Sequence, residues 1–267
     1  MERRELFVGG RRVLLYAPTA SEISKAVDGN SCGPGDAELH TWAVPWESGL
    51  FAQLSHWDLS AADVLDLGCG LGLAGVFAML QGAKSVCFAD RSHRAVELAL
   101  LSAAENRGPE ARCEVRGRQG CWAQAASAAP WPEVDLILGN EIVYVTEACG
   151  ELTALLRSSV LRPGGMAVFS GCDRGLSDTF QAQLIAAGFI VQCGNGFAPG
   201  SDGATPNPTI LLLVLKPEVG QEPSALSSLS SVFIRPEAWQ DTGSTKAKFA
   251  PPPCVASSIM PPTPPTP

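Results

Sequence analysis

The chain has 267 residues, of which 46% are hydrophobic and 17% charged. That suits one domain of about 200 residues with tails, or two small ones, and supplies apolar material for a sizeable core. The formal net charge of −8 disfavours broad electrostatic binding to nucleic acid or to an anionic membrane. No window reaches about 18 consecutive apolar residues, so no bilayer-spanning helix is expected, and the apolar run after Met1 to Glu5 is too short for a signal peptide. Nine cysteines are scattered at positions 32, 69, 87, 113, 121, 149, 172, 193 and 254, with no C-x-x-C pair. A dispersed, odd set reads as reduced, mostly buried thiols, without a metal site, which fits the cytoplasm and also the nucleus or an organelle stroma.

In chain order, residues 5–16 read as two short strands around Gly9-Gly10. Residues 17–37 are small and polar and read as a loop. Trp42 and Trp46 then precede an apolar helix from Leu50 to Trp57, and their blandest role is to cover a sheet edge. Asp63 to Leu67 follows as a buried strand, because Val64, Leu65 and Leu67 suit a strand covered on both faces. It runs into a turn with Gly68, Gly70 and Gly72 in alternation, then into a helix from Leu73 to Leu80. Glycine allows positive φ and close approach of a ligand, and the helix start offers free N–H groups. A dinucleotide fingerprint would need a third glycine at position 73, which is Leu73.

Ser85 to Asp90 reads as a second strand ending in an acid 22 residues beyond Gly68. That is where α/β nucleotide sites place the carboxylate that takes ribose hydroxyls. The alternative is a helix cap, for which Ser92 competes. A helix from Ala95 to Asn106 puts Val96, Leu100 and Ala103 on one face. Arg112 to Val115 is a weak strand, Gly117 to Trp122 a turn, and residues 123–133 a loop. Val134 to Asn140 is a strongly apolar strand that leads into Glu141 and Tyr144. Beyond it come a helix from Cys149 to Val160, a tight turn from Leu161 to Gly165, a strand from Met166 to Ser170 and a helix from Phe180 to Ala187 stopped by Gly188. Strands from Phe189 to Gln192 and Thr209 to Leu215 close the pattern. Residues 217–267 are Pro/Ser-rich and read as a disordered tail in which Phe233, Ile234 and Trp239 form one dockable segment.

The stretch from Asp63 to Leu73, with Asp66 two places before the first glycine, resembles motif I of the seven-β-strand S-adenosylmethionine methyltransferases. With Trp46-Glu47-Ser48-Gly49 upstream and Glu141-x-x-Tyr144 downstream, the chain resembles the lysine methyltransferase family 16 group over about residues 38–216. The resemblance implies a Rossmann-like α/β fold: a mostly parallel seven-stranded sheet with an antiparallel final hairpin and helices on both faces. It divides the chain into N-terminal strands and loop (1–37), a methyltransferase domain (38–216) and the tail (217–267).

It implies S-adenosyl-L-methionine as cofactor, held by Trp46, Asp66, Gly68, Cys69, Gly70, Asp90, Trp122 and Asn140. Glu141 and Tyr144 would be the catalytic pair at the methyl-acceptor side. The family carries a small-acid-Trp turn against the adenine. This chain keeps Trp122 but has Cys121 in place of the acid, with Gln119 or a backbone carbonyl as the substitute acceptor. Asn140-Glu141 also lies near the asparagine-proline pattern of nucleic-acid and glutamine methyltransferases, but no proline stands at 141–143. The implied partner is a protein substrate methylated on lysine or histidine by a monomeric enzyme. A small-molecule methyltransferase and a non-catalytic cofactor-binding module are the alternatives.

Overall fold

The computed structural model describes residues 1–27, 39–48, 50–110, 112–122, 131–143, 146–171, 177–198 and 207–218. The segment from 219 to 267, with Phe233, Ile234 and Trp239, lies outside these residues, as do Gly49 and Tyr144.

Seven strands form one sheet: β3 (Asp63–Leu67), β4 (Ser85–Asp90), β5 (Glu114–Gln119), β6 (Val134–Asn140), β7 (Leu161–Gly171), β8 (Ile190–Ala198) and β9 (Asn207–Leu215). Their order is β5-β4-β3-β6-β7-β9-β8. The first five are parallel, whereas β9 runs antiparallel to both β7 and β8. The strand order reverses between β3 and β6, which leaves a crevice outside their carboxyl ends.

The period of two along each strand builds the two layers. Val64, Val86, Leu136 and Leu138 face one core with helices α4 (Leu73–Leu80) and α5 (His93–Asn106). Leu65, Cys87 and Ile137 face the other core with α6 (Thr146–Arg157) and α7 (Ser177–Ala186). Strands buried on both faces need no alternation of apolar and polar residues, which is why they read as continuous apolar runs.

A separate hairpin, β1 (Glu2–Val8) and β2 (Arg11–Ala17), turns at Gly9-Gly10 and lies against α5. Its outer polar groups are satisfied from the helix. Leu14 N–H donates to Asn106 Oδ1 at 2.9 Å, Asn106 Nδ2 donates to the Leu14 carbonyl at 2.6 Å, and Tyr16 N–H donates to Ser102 Oγ at 2.9 Å. At the sheet end opposite the crevice, Arg162 bridges Asp63 at 3.1 Å and Asp135 at 2.8 Å.

Several elements depart from the sequence expectation. Residues 20–27 form a helix, α1, within the expected loop. Its start carries a reciprocal cap: Glu22 N–H donates to Thr19 Oγ1 at 3.3 Å and Thr19 N–H donates to Glu22 Oε2 at 2.7 Å. The helix after Trp46 is short, α3 (Leu50–Leu54), and follows a one-turn helix α2 (Leu39–Trp42). β5 begins two residues late and takes in Gly117 to Gln119, so these are strand and not turn. A Cβ on Gly117 would lie 2.7 Å from Val96 Cγ1 and 2.8 Å from Leu100 Cδ1, so glycine lets α5 press onto the sheet there. The expected Pro-Gly-Gly turn is a bulge inside β7. Pairing passes from Val134↔Leu161 straight to Leu136↔Met166, which extrudes the extra residues without ending the strand. α6 starts and ends three residues early, and the final hairpin β8-β9 extends to Ala198 and Asn207.

Candidate active site

The crevice outside β3, β4 and β6 is lined by nine of the ten residues singled out in the sequence: Trp46, Asp66, Gly68, Cys69, Gly70, Asp90, Trp122, Asn140 and Glu141. Tyr144 lies outside the described residues. Trp42, Arg91 and Ile142 line it as well.

The three glycines of the turn are left-handed, with φ of 65° at Gly68, 51° at Gly70 and 84° at Gly72. The space over the glycines, however, is taken by the protein's own atoms. A Cβ at Gly68 would fall 2.7 Å from Ile142 Cγ2 and 3.4 Å from the Trp122 ring, and one at Gly70 would fall 2.9 Å from the Trp42 carbonyl oxygen. Four N–H groups of the turn and the first helical turn are also engaged. Cys69 N–H donates to the Ala89 carbonyl at 3.0 Å and Gly72 N–H to the Cys69 carbonyl at 2.7 Å. Gly70 N–H donates to Asp90 Oδ2 at 3.0 Å and Gly75 N–H to Asp66 Oδ2 at 2.8 Å.

Asp66 is 2% exposed. It sits in β3 and caps α4 from outside the helix, where the N-cap residue Gly72 has no side chain to do so. Burial pushes its carboxyl up to about 8, opposed by the Gly75 hydrogen bond and reinforced by the charge of Asp90. Asp90 ends β4 and accepts from the backbone on both oxygens, from Gly70 N–H on Oδ2 and from Ser92 N–H on Oδ1 at 2.9 Å. Burial raises its pKa also, against hydrogen bonds from Ser92, Gly70 and Arg91. The α5 N-cap is Ser92, whose Oγ accepts from Ala95 N–H at 3.2 Å, so Asp90 is not that cap.

Trp46 is 39% exposed, and its indole N–H is tied to the Thr41 carbonyl at 2.8 Å. Asn140 lines the crevice, but its amide serves the protein. Nδ2 donates to the Trp46 carbonyl at 2.6 Å, and Oδ1 accepts from Ser48 Oγ and Ser170 Oγ, both at 2.6 Å. Glu141 follows in a left-handed conformation, φ 58°, with its N–H on the Ser170 carbonyl at 2.8 Å. Gln119, expected as a substitute acceptor, donates Nε2 to the Arg91 carbonyl at 3.2 Å and does not line the crevice; nor does Cys121.

These groups fit S-adenosyl-L-methionine, the cofactor this architecture implies. Both Asp90 oxygens accept backbone hydrogen bonds, and with three backbone donors in all the carboxylate's roughly four lone-pair sites still leave capacity for a ribose hydroxyl. The buried Asp66 carboxyl suits an ammonium group, and the half-buried Trp122 face suits a purine. A pyrophosphate fits badly: four N–H groups of the turn and first helical turn are engaged, and two carboxyls line the same wall.

The profile of the ribosomal protein L11 methyltransferase (PrmA) family matches residues 50–193, more than half of the 267-residue chain. The chain belongs to this family. Among curated relatives, a protein N-lysine methyltransferase METTL21A from Danio rerio is 31% identical over 134 residues, 49% of this chain and 60% of that protein. A ribosomal protein L11 methyltransferase from Methylococcus capsulatus is 34% identical over 135 residues, 51% of this chain and 42% of that protein. The chain thus spans about half the length of the curated relatives it matches. Among solved structures, the ribosomal protein L11 methylase from Lactobacillus delbrueckii subsp. bulgaricus is 24% identical, with 59% of this chain and 71% of that chain covered and a TM-score of 0.44. The strand order of this PrmA-family chain agrees with the expected seven-stranded methyltransferase fold.

Ser170 and Ile142 are the residues that the sequence does not single out, and Ser48 stands there only as part of the Trp46-Glu47-Ser48-Gly49 segment. Ser170 is the register partner of Asn140, and strand register is not visible in one sequence. Ile142 was only a spacer in Glu141-x-x-Tyr144, yet the strand-to-loop turn at Glu141 puts it on Gly68.

Proposed function

We propose that this chain is an S-adenosylmethionine-dependent methyltransferase whose acceptor is the side-chain nitrogen of a lysine in another protein, histidine being the second acceptor the resemblance implies. On this reading residues 38–216 are the catalytic domain, and the chain sits nearer the lysine methyltransferase family 16 group than the ribosomal L11 enzymes. Both kinds of relative found by comparison carry names of protein methyltransferases.

The observation that carries the reading is Glu141. It is the only non-glycine with positive φ among the described residues, and it stands at the tip of β6 on the wall of the crevice. A non-glycine residue held there costs of order 1–3 kcal/mol and persists where the surroundings impose it, commonly at functional sites. The imposing contacts are the Glu141 N–H on Ser170 and the bonded amide of Asn140 just before it.

The bound cofactor supplies an electrophilic methyl group on a sulfonium. The chain's residues do the rest by positioning, which can be worth about 7–11 kcal/mol when the geometry is right. Asp90 fixes the ribose end, Asp66 the ammonium end and Trp122 the base. Trp46 walls the crevice. A lysine must arrive neutral, and holding it so near pH 7 costs about 4.6 kcal/mol from its reference pKa of about 10.4. Glu141, with Tyr144, accepts hydrogen bonds from the amine and aims its lone pair. A carboxylate within hydrogen-bonding reach raises an amine's pKa, so Glu141 orients and water takes the proton.

The test is incubation of the purified chain with labelled S-adenosylmethionine and a proteome, followed by mass spectrometry of labelled residues. Label on protein lysine is expected. Label only on small metabolites, or a protein that binds the cofactor and transfers nothing, overturns the proposal.

A further inference from the structure

The residue that the strand tip offers just before Glu141, Asn140, does more for the crevice than line it. Its side-chain orientation is forced. The Trp46 carbonyl at 2.6 Å can only accept, so the amide nitrogen must face it, which turns Oδ1 to the hydroxyls of Ser48 and Ser170. Those two hydroxyls are themselves 3.0 Å apart and are buried, Ser48 at 3% and Ser170 at 2% exposure. Ser48 Oγ also accepts from Leu50 N–H at 3.3 Å at the start of α3. Three elements therefore meet on one amide: the segment from Trp46 to Ser48, the tip of β6 and the tip of β7.

The other end of that segment lies over the glycine turn. Trp42, Val44, Pro45 and Trp46 all line the crevice, and the Trp42 carbonyl is the atom nearest a Cβ at Gly70. Residues 42–46 thus form a strap from the turn after β3 to the tip of β6. It is stiffened by the Trp46 indole on Thr41 and fastened at its far end by Asn140.

We infer that the Ser48–Asn140–Ser170 network is the latch of this strap: Asn140 is a positioning residue that slows cofactor release, not a group that touches the methyl acceptor. The inference rests on the cofactor reading above. An amide at this strand tip serves the acceptor only if its polar ends face the crevice, and here Nδ2 and Oδ1 both bond to protein atoms. Asn140→Asp tests the donor. The carboxylate keeps the acceptors for both serines but sets a second oxygen against the Trp46 carbonyl, which unfastens the strap. Ser170→Ala removes one donor to Oδ1 and leaves the Trp46 bond in place.

The experiment measures the dissociation rate of S-adenosylhomocysteine from the full chain by stopped flow, with kcat and the cofactor KM on the labelled substrate alongside. Loss of one net hydrogen bond predicts an off-rate faster by about two- to tenfold in Asn140→Asp, and less in Ser170→Ala. The cofactor KM should rise in step with the off-rate. A merely structural lesion would lower the active fraction and leave the off-rate of the remaining protein alone. Unchanged off-rates in soluble variants, or a fall in kcat at constant off-rate, overturn the latch. If Asn140→Asp does not fold, an unchanged off-rate in Ser170→Ala overturns it by itself. Wild-type protein that binds no S-adenosylhomocysteine sinks the cofactor reading and the latch together.

Discussion

Replacing Asp90 by Asn separates a cofactor carboxylate from a structural one, and the structure fixes what the swap removes. Each carboxylate oxygen accepts from the backbone, one from Gly70 N–H at 3.0 Å and the other from Ser92 N–H at 2.9 Å. An amide has one oxygen, so its NH₂ must confront one of those donors, and the side chain is 7% exposed with little room to turn away. Loss of that bond costs about 1–3 kcal/mol of stability through the orphaned donor. The larger effect falls on the ligand. Hydrogen bonds to a charged acceptor are worth about 1.5–3 kcal/mol each, so losing one from the ribose predicts affinity for S-adenosylhomocysteine weaker by about 10- to 150-fold. Titration calorimetry on Asp90→Asn, with the folded fraction checked by thermal melting, reads both. Unchanged affinity in folded protein would refute the ribose role, and equal losses for adenosine and for free methionine would refute its localisation.

Other consequences follow from the same wall of the crevice. With the Asp66 carboxyl pushed up to about 8 by burial from an ordinary 3.8, the folded state holds a proton that the unfolded chain releases. Its contribution to stability is therefore present below the unfolded value and is lost as pH rises towards about 8. Denaturation midpoints of the ligand-free protein should fall across that window, and Asp66→Asn should flatten the fall; a midpoint that rises instead contradicts the burial. Binding a cationic cofactor beside Asp66 should release a proton, seen as a binding enthalpy that varies with buffer. Gly75→Ala would press a Cβ against Phe88 Cε1 and bring it to 2.9 Å from Asp66 Oδ2. The crowding should destabilise by about 1–3 kcal/mol despite the gain of about 1 kcal/mol in helix propensity, and a raised thermal midpoint would show that β4 gives way freely.

Elements defined by local chemistry were legible in the chain. Asp63–Leu67, Ser85–Asp90 and Val134–Asn140 occupy the ranges read from their apolar runs, and α4 begins after the glycine turn as expected. Residues 20–27 were missed because a small-residue stretch hides a Thr19-x-x-Glu22 cap. The bulge in β7 was taken for a turn because Pro163-Gly164-Gly165 ends helices and reverses chains in most settings, and only the pairing with β6 and β9 shows the strand continuing. In the site, the residue types were readable but not their contacts. Asp66 as a cap for α4, and Asn140 as the link between Trp46, Ser48 and Ser170, depend on neighbours 9 to 94 positions away. The Cys121 departure is real in the sequence, and Gln119, its expected substitute, does not line the crevice.

The most direct test of the central claim is Glu141→Gln in the labelled-proteome assay. The substitution keeps size and hydrogen-bonding shape and removes charge at the one left-handed non-glycine position among the described residues. The account predicts that affinity for S-adenosylhomocysteine hardly moves while methylation of protein lysine slows by about 10²–10⁴-fold, with Tyr144→Phe showing a smaller loss of the same kind. Full labelling by Glu141→Gln, or loss of cofactor binding in step with loss of labelling, would contradict it.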